Sequence, residues 1–258
     1  MQVLHLLFLV LSVITTSQGS VPYQVFPLRL RSGSDGEKIS GIDCLSWRLA
    51  VETHNLRNFG LVPSSCENYM AKYMLGGQYS ADCFEAASAA YEYAKNLTLA
   101  DDGKDIWIFD IDETALSSLP FYSSPDNAFG TKEYNDTSFK EWEKLGVAPA
   151  LPAILDLYNK LLDLGFKIVF LSGKSESIRD IAEQNLKDVG YHTWEKLILK
   201  QTSEKGSTAV VYKSKKRTEL VNEGYRILGN VGDQWSDLLG DNVGNRTFKV
   251  PDPLFYLP

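Results

Sequence analysis

The sequence lacks an excess of positive charge, a cluster of histidines and any long apolar run beyond its first residues. Lys and Arg number 26 against 33 Asp and Glu, and the formal net charge of −7 argues against an extended nucleic-acid surface. A basic block, KSKKR at Lys213–Arg217, is too short to change this conclusion. The three histidines, His5, His54 and His192, are too scattered in the sequence to indicate a zinc site.

The first residues, MQVLHLLFLVLSVITTSQGS, indicate a secretory signal peptide at 1–19. An apolar stretch from Leu6 to Ile14 is followed by small and polar residues, with Ser17 and Gly19 suitably placed for cleavage before Ser20. The apolar stretch is too short to span a bilayer, so a permanent anchor is the weaker interpretation. We therefore expect the secretory pathway, an extracellular or vacuolar location, and no membrane contact after the signal is removed.

Secretion would make disulfide formation and N-glycosylation available to the chain. An oxidising compartment allows one disulfide among three cysteines and leaves one thiol over, but the sequence does not choose among the three pairings. The alternative is that the cysteines are buried free thiols that act as small hydrophobic residues. The cysteines are Cys44, Cys66 and Cys83, and the three candidate glycan acceptors are Asn96, Asn135 and Asn245.

The pattern along the chain predicts a helical extension at 20–103 and an α/β core at 104–258. Helix formers dominate DCFEAASAAYEYAKNL, behind an expected N-cap at Ser80. After Gly103, short apolar runs alternate with amphipathic helices, which is typical of a Rossmann-like parallel sheet covered on both faces. The expected strands contain IWIFD, KIVFLSG, KLILK and YRILGNVGD, and the expected helices are LPAILDLYNKLLDLG and SESIRDIAEQNLKDVG.

An aromatic-rich segment, 117–149, interrupts this alternation. It is too irregular for a strand and too long for a plain connection, so we expect a small cap insert that closes over the strand ends. A decorated surface loop is the alternative, but clustered aromatic side chains need a surface to cover. Trp142, with Phe121 and Tyr122, is our candidate for contacting the organic part of a ligand, although packing within the insert is the safer interpretation for each.

Polar groups end the apolar runs of the predicted sheet. In IWIFDIDETAL the run ends at Asp110, and Asp112 points the same way because strand side chains alternate. Ligands bind at the carboxyl ends of parallel strands, and buried carboxylates are costly unless they are paired or coordinated. The runs IVFLS, AVVYK and ILGNVGD end in the same manner, and the sequence therefore predicts one shared site. Their terminal residues are Ser172, Lys213 and Asp233, with Asp237 four residues later.

Four short motifs in this order resemble those of the haloacid dehalogenase superfamily. They are DIDET, LSGK, YKSKKR and GDQWSD, and the longer stretches GYRILGNVGDQWSDLLG and WEKLILK resemble the plant acid phosphatases and the related vegetative storage proteins. The resemblance runs from about Pro22 to the C-terminus and implies a haloacid dehalogenase core with a cap insert. One departure is Lys174 in LSGK, where many relatives have arginine, so the role of Lys174 is open.

The resemblance implies hydrolysis of phosphate monoesters through an aspartyl-phosphate. Asp110 is the expected nucleophile, because a carboxylate at a strand end can attack phosphorus and divide one displacement into two easier ones. Asp112 would give a proton to the leaving alkoxide and later take one from water. A dehalogenase is disfavoured, because displacing a halide does not require the acid/base group that Asp112 supplies.

An anionic nucleophile and an anionic ester need cations and donors around them. We expect Mg²⁺ to be held by Asp110, Asp233 and the backbone carbonyl of Asp112, with Asp237 supporting the ion or the lysine. The alternative for Asp233 and Asp237 is that they are turn and helix-cap residues. The two carboxylates of DIDET make that alternative the weaker one.

Two further groups are expected to hold the phosphoryl oxygens. They are the hydroxyl of Ser172 and the ammonium of Lys213, which we choose among the basic residues because it directly ends an apolar run. The other basic residues of the block, 215–217, fall in the next helical turn, where we expect a solvated face.

These patterns lead to a functional hypothesis and an alternative from another class. The first is a secreted or vacuolar acid phosphatase that uses Mg²⁺ and whose partner is a small phosphate monoester and not nucleic acid. The alternative is a vegetative storage protein on a phosphatase fold, with little or no catalytic role. A homodimer is compatible with either.

Overall fold

The computed structural model describes residues 38–39 and 42–258, which belong to one compact unit, Gly36–Pro258. The expected signal peptide at 1–19 lies outside the described residues. Within the described part of the chain, no helix is both long and apolar enough to cross a membrane.

Short strands and three helices precede the main sheet. The two short strands pair antiparallel, and the side chain of Asp43 then caps the first helix by accepting a hydrogen bond from the Ser46 amide at 2.8 Å. In chain order the elements are β1 (Lys38–Ile39), β2 (Ile42–Asp43), α1 (Cys44–Glu52), α2 (Glu67–Leu75) and α3 (Gln78–Ala94).

The prediction that Ser80 caps α3 is wrong. The helix begins at Gln78, and its N-cap is Gly77, whose φ of 92° lies in the left-handed region. Glycine adopts this conformation without the steric strain of a Cβ, so Gly77 makes the tight turn between α2 and α3. Ser80 is therefore a residue of the first turn of the helix.

The structure decides the pairing of the cysteines. Cys44 and Cys66 form a disulfide that joins the start of α1 to the short 3₁₀ helix Ser64–Cys66 in front of α2. Cys83 is a buried free thiol in α3. The three asparagines of the glycosylation motifs, Asn96, Asn135 and Asn245, are all exposed.

Five parallel strands form the central sheet in the order β5-β4-β3-β6-β7. The four predicted strands are present, and β7, a short edge strand that the sequence pattern does not predict, completes the sheet. The strands are β3 (Asp105–Phe109), β4 (Lys167–Ser175), β5 (Lys196–Lys200), β6 (Arg226–Gly232) and β7 (Thr247–Lys249). The α/β fold with a parallel sheet is therefore confirmed.

Helices cover both faces of this sheet, which explains why every residue of β3 is buried. Trp107 and Phe109 belong to the larger core, together with buried residues of α3, α6 (Pro152–Asp163) and α7 (Arg179–Asp188). Ile106 and Ile108 belong to a smaller core that contains Tyr212 and Leu220 of α8 (Ala209–Asn222). The opposite orientation of successive side chains in β3 places them in two different cores.

The segment 117–149 contains two α-helices, α4 (Leu119–Tyr122) and α5 (Asp136–Glu143), and a short 3₁₀ helix, Ala128–Gly130. Its aromatic residues pack mainly on one another. The ring centroids of Phe121 and Phe139 are 5.1 Å apart, and those of Phe139 and Trp142 are 5.9 Å apart. Tyr122 stacks on Phe255 near the C-terminus at 5.3 Å. These contacts give the insert an aromatic centre of its own.

The apolar run AVVYK is not a strand. It forms the start of α8, where the hydroxyl of Thr208 caps the helix by accepting a hydrogen bond from the Val211 amide at 3.4 Å. Straight-chain residues that favour helices follow the run, and their helix propensity outweighs the strand propensity of Val210, Val211 and Tyr212. Lys213 is buried, and its place on a helix corrects the prediction that it ends a strand.

Arg217 is also placed differently from the prediction of a solvated face, because it is fully buried. Its guanidinium donates hydrogen bonds to the backbone carbonyls of Asp237, Leu239 and Asp241, at 2.9, 2.6 and 2.9 Å. It therefore joins α8 to α9 (Trp235–Leu238) and to the loop that follows. These three hydrogen bonds satisfy the donors of the guanidinium, which explains why a charged side chain can be buried here.

We expect Arg217→Met to lower the free energy of unfolding by about 3 kcal/mol, because it removes three charge-assisted hydrogen bonds to backbone carbonyls, of which the Asp237 carbonyl keeps a second donor in Asn230. Urea denaturation followed by circular dichroism measures the change. Lys215→Met, on the same helix with 60% of its side chain exposed, is the matched control and should change stability by less than about 0.5 kcal/mol. Equal stability of the two variants would contradict the structural role of Arg217.

Candidate active site

The candidate site lies where the carboxyl ends of β3 and β6 meet. These neighbouring parallel strands pair Phe109 with Val231, so Asp110 and Asp233 leave the sheet close together. The backbone amide of Asp110 also donates a hydrogen bond to the carbonyl of Val231 at 3.1 Å. The structure thus brings together two carboxylates that the strand-end pattern had selected.

Asp237 joins them from α9, and a glycine makes its approach feasible. A Cβ on Gly232 would lie 2.4 Å from the Cβ of Asp237, which is far too close for any larger residue. The carboxylates of Asp110, Asp233 and Asp237 are buried and offer oxygen atoms that lie within 4.8 Å of one another. Such a set of oxygens is the kind that a hard divalent cation takes as ligands.

Lys213 only partly neutralises these carboxylates. Its Nζ lies 2.6 Å from Oδ1 of Asp110 and also bonds to Oδ1 of Asp237. With all three carboxylates ionised, they and the ammonium carry a net charge of −2, which a divalent cation would balance. Burial, opposed by Lys213, raises the pKa of Asp110 well above its ordinary value, and burial together with Asp237 does the same for Asp233. The residues therefore fit a metal ion both in ligand type and in charge.

Other side chains hold these carboxylates in place. Asp233 accepts hydrogen bonds from the hydroxyl of Thr114 at 3.0 Å and from the amide side chain of Gln234 at 2.9 Å. The same side-chain nitrogen of Gln234 also donates to buried Asp252 at 2.8 Å. The backbone amide of Gln234 donates to the carboxylate of Asp237 at 2.9 Å. Thr114 and Gln234 lie inside two of the quoted motifs, whereas nothing near Asp252 in the sequence indicates its part in the site.

Asp112 takes a different position from the other carboxylates. Its side chain is 28% exposed and lies 2.8 Å from the ammonium of Lys174, so its carboxylate is outside the group of three. The expected metal contact of Asp112, through its backbone carbonyl, stays a prediction. Lys174 also lies 2.6 Å from Glu143 of α5, a partner that the sequence did not reveal because it comes from the insert.

Ser172 is buried within β4, on the strand next to Asp110. Its hydroxyl accepts a hydrogen bond from the Lys174 amide at 3.1 Å, and it lines the same cleft as Asp110 and Lys213. A hydroxyl so placed can still donate its own hydrogen to a ligand oxygen. The four residues chosen from the sequence as catalytic, Asp110, Asp112, Ser172 and Lys213, thus line one cleft.

Glu113 was not selected from the sequence, although it is fully buried beside the site. Its carboxylate accepts a hydrogen bond from the Ser118 amide at 2.6 Å, and burial raises its pKa to about 7. Its φ of 55° turns the chain sharply after Asp112. Glu113 therefore helps to set the path of the backbone from Asp112 into the insert.

The cleft above these residues has a volume of about 700 Å³. Tyr134 and Phe139 of the insert line it, whereas Trp142 lies in a separate small cavity beside Lys174. Phe121 and Tyr122 are buried in the insert and do not line the cleft either. Tyr134 and Phe139 are therefore the aromatic residues of the insert that line this cleft, and the contact of Trp142 with the organic part of a ligand stays a prediction. Four lysines form much of the outer wall: Lys140, Lys144, Lys200 and Lys205.

Comparisons with known proteins agree with this geometry. A family model described as HAD superfamily, subfamily IIIB (acid phosphatase), matches residues 30–258. The chain is 43% identical to Acid phosphatase 1 of Solanum lycopersicum over 97% of this chain and 98% of the relative. It is 46% identical to the Stem 28 kDa glycoprotein of Glycine max over 91% of each chain. It is 42% identical to Vegetative storage protein 1 of Arabidopsis thaliana over 87% of this chain and 82% of the relative.

A solved structure shows the same fold. The class C acid phosphatase of Bacillus anthracis superposes with a TM-score of 0.60 at 21% identity, covering 72% of this chain and 83% of the other. The family model covers the α/β core and all four motifs, and the resemblance drawn from the motifs is confirmed. The chain belongs to the acid phosphatases of the HAD superfamily, subfamily IIIB.

Proposed function

We propose that this protein hydrolyses small phosphate monoesters in the cell exterior or the vacuole, with Mg²⁺ and through a phosphorylated Asp110. The observation that supports this most is the buried group of three carboxylates with Lys213 at the floor of an open cleft. A site with a net charge of −2 is unsuited to an anionic ester unless a cation is bound as well. With a divalent cation, the same groups form a site for phosphoryl transfer.

In the first step, a carboxylate oxygen of Asp110 attacks phosphorus, and the bond from phosphorus to the alcohol oxygen breaks. Asp112 gives its proton to the leaving alkoxide, which departs as the alcohol. In the second step, water attacks the same phosphorus while Asp112 takes a proton from it, and the bond to Asp110 breaks. Phosphate leaves, and Asp110 returns to its starting state.

The metal ion would be held by Asp110 and Asp233, with Asp237 beside it and supported by Lys213. When bound, a divalent cation supplies positive charge that screens the repulsion between the nucleophile and the ester. Lys213 adds a second positive charge: burial by itself lowers its pKa, but Asp110 and Asp237 raise it above the ordinary value, so the group stays an ammonium. Ser172 offers a hydroxyl to a phosphoryl oxygen from the neighbouring strand.

A storage role remains the second candidate, because relatives named as vegetative storage protein and stem glycoprotein align with most of the chain. A storage protein needs no nucleophile, whereas this chain keeps Asp110 and the groups that support it. The two roles differ in a measurable way, since only one requires turnover. The predicted signal peptide at 1–19 is compatible with both.

The test of the proposal is hydrolysis of an aryl phosphate by the purified mature protein between pH 4 and 8, with Mg²⁺ or with a chelator. We expect turnover that is highest in acid and lost on chelation, because the carboxylates then keep their excess negative charge. Absence of turnover under all conditions would reject the enzyme and favour the storage role. Turnover that is unaffected by the chelator would reject the proposed requirement for Mg²⁺.

We expect Asp110→Asn to reduce kcat below about one thousandth of the wild-type value, because it removes the nucleophile while keeping the side-chain shape. Asp112→Asn should reduce kcat by about 10²–10⁴-fold, the usual loss when acid/base help is removed. Asp163→Asn, at an exposed site on α6, is the matched control and should retain full activity. Substantial activity of Asp110→Asn would contradict the covalent scheme.

We expect Tyr134→Ala to change substrate preference, because this half-exposed ring lines the cleft. The kcat/KM for a bulky aryl phosphate should fall about fivefold, which corresponds to the loss of one aromatic contact, while that for a small alkyl phosphate should change little. Phe84→Ala, at an exposed aromatic residue on α3 away from the cleft, is the control. An equal loss for both esters would show that Tyr134 supports the insert and does not select substrates.

A further inference from the structure

Lys174 connects the insert to the sheet. It lies on β4, its side chain is 7% exposed, and its ammonium lies between Asp112 at 2.8 Å and Glu143 at 2.6 Å. The side chain of Glu143 is itself only 12% exposed. A lysine that is buried to this degree is retained only when its charge is paired, and here both partners are carboxylates.

Asp112, Lys174 and Glu143 form a linear series of two ion pairs with Lys174 in the middle. Within the described residues, the carboxylate of Asp112 has Lys174 as its partner, and so does the carboxylate of Glu143. The ammonium of Lys174 in turn has these two carboxylates as its ion-pair partners. The orientation of Asp112 therefore depends on Lys174.

The contrast with the other carboxylates supports this dependence. Asp233 is held by Thr114 and Gln234, both of which donate hydrogen bonds to it. The Asp112 carboxylate has no such donor from its own strand or loop within the part of the chain that the structure describes, and its side chain is 28% exposed. Without Lys174 it would be free to rotate toward solvent.

We propose that Glu143 is a positioning residue that holds Lys174, and that Lys174 fixes the carboxylate of Asp112 for proton transfer. The inference rests on the proposed role of Asp112 as the acid and base. It assigns to Lys174 the joining of two carboxylates, which an ammonium can do because it has three hydrogen-bond donors. It also means that Asp112 is correctly placed only when α5 is seated against the sheet.

The experiment compares Glu143→Ala and Glu143→Gln with Lys174→Met, Lys174→Arg and the wild type. Glu141→Ala, at an exposed residue on the same helix, is the matched control. Each variant is assayed with an alkyl phosphate, whose leaving group needs a proton, and with a nitrophenyl phosphate, whose leaving group does not. Crystal structures of the wild type, Glu143→Ala and Lys174→Met give the orientation of Asp112 independently of activity.

We expect Lys174→Met to lower kcat/KM, which reports the first chemical step alone, about 30-fold for the alkyl ester and about threefold for the nitrophenyl ester, because only the alkoxide needs a proton from Asp112. Glu143→Ala should show the same selectivity at about 10-fold and 2-fold, with KM nearly unchanged. Lys174→Arg should restore most of the activity, since it keeps both ion pairs. In the crystal structures of the two truncated variants, the Asp112 side chain should change rotamer.

An equal loss for both esters, or an increase in KM alone, would overturn the proposal, since a residue that only supports the fold affects both substrates alike. An unchanged Asp112 rotamer in Lys174→Met would overturn it as well. If Glu143→Ala does not fold, Glu143→Gln tests the same contact with a milder change. A wild type without turnover rejects the proposed function instead, and the rotamer comparison then still decides whether Lys174 holds Asp112.

Discussion

The burial of like charges at the end of β3 and β6 is the constraint on which the rest of the structure depends. Asp110, Asp233 and Asp237 bring three negative charges into a buried site, and Lys213 supplies only one positive charge. Isolated carboxylates in such a place are unfavourable by several kcal/mol each. The surrounding residues offset this by donating hydrogen bonds, as Thr114 and Gln234 do, and the remaining charge matches a divalent cation.

The backbone around the site is built to allow this concentration of charge. Gly232 has no side chain, which leaves space for Asp237 to approach the strand end. Arg217 satisfies three carbonyls of α9 and the following loop and so connects Asp237 to the helix that carries Lys213. The hydrogen bonds of Arg217 that stabilise this loop therefore also help to place Asp237 in the site.

The insert contributes to the site through few residues, and they act in different ways. Tyr134 and Phe139 line the outer cleft, Trp142 packs within the aromatic centre, and Glu143 reaches Lys174. The insert therefore contributes both to the lining of the cleft and, through Glu143, to the contacts of a core lysine.

Local patterns of the sequence were sufficient for four of the five strands of the sheet and for the carboxylates at the ends of β3 and β6. Apolar runs that end on Asp110 and Asp233 identify strands β3 and β6, because the buried strands of a parallel sheet are apolar throughout. The alternation with amphipathic helices predicts the fold class, and the four motifs identify the family. Each of these signals lies within a short stretch of sequence, so that no knowledge of distant contacts is needed to read it.

Other features depended on contacts between residues far apart in the chain. AVVYK has the composition of a strand, yet it begins α8, from which Tyr212 and Leu220 both pack into the smaller core. The pairing of Cys44 with Cys66, the burial of Arg217 and the ion pair of Lys174 with Glu143 likewise join separate segments. The sequence alone therefore determined four of the five strands of the sheet, the family and the strand-end carboxylates Asp110 and Asp233, because these follow from local periodicity and motif. Only the tertiary structure decided which charges meet, because each ion pair depends on how helices and insert are placed against the sheet.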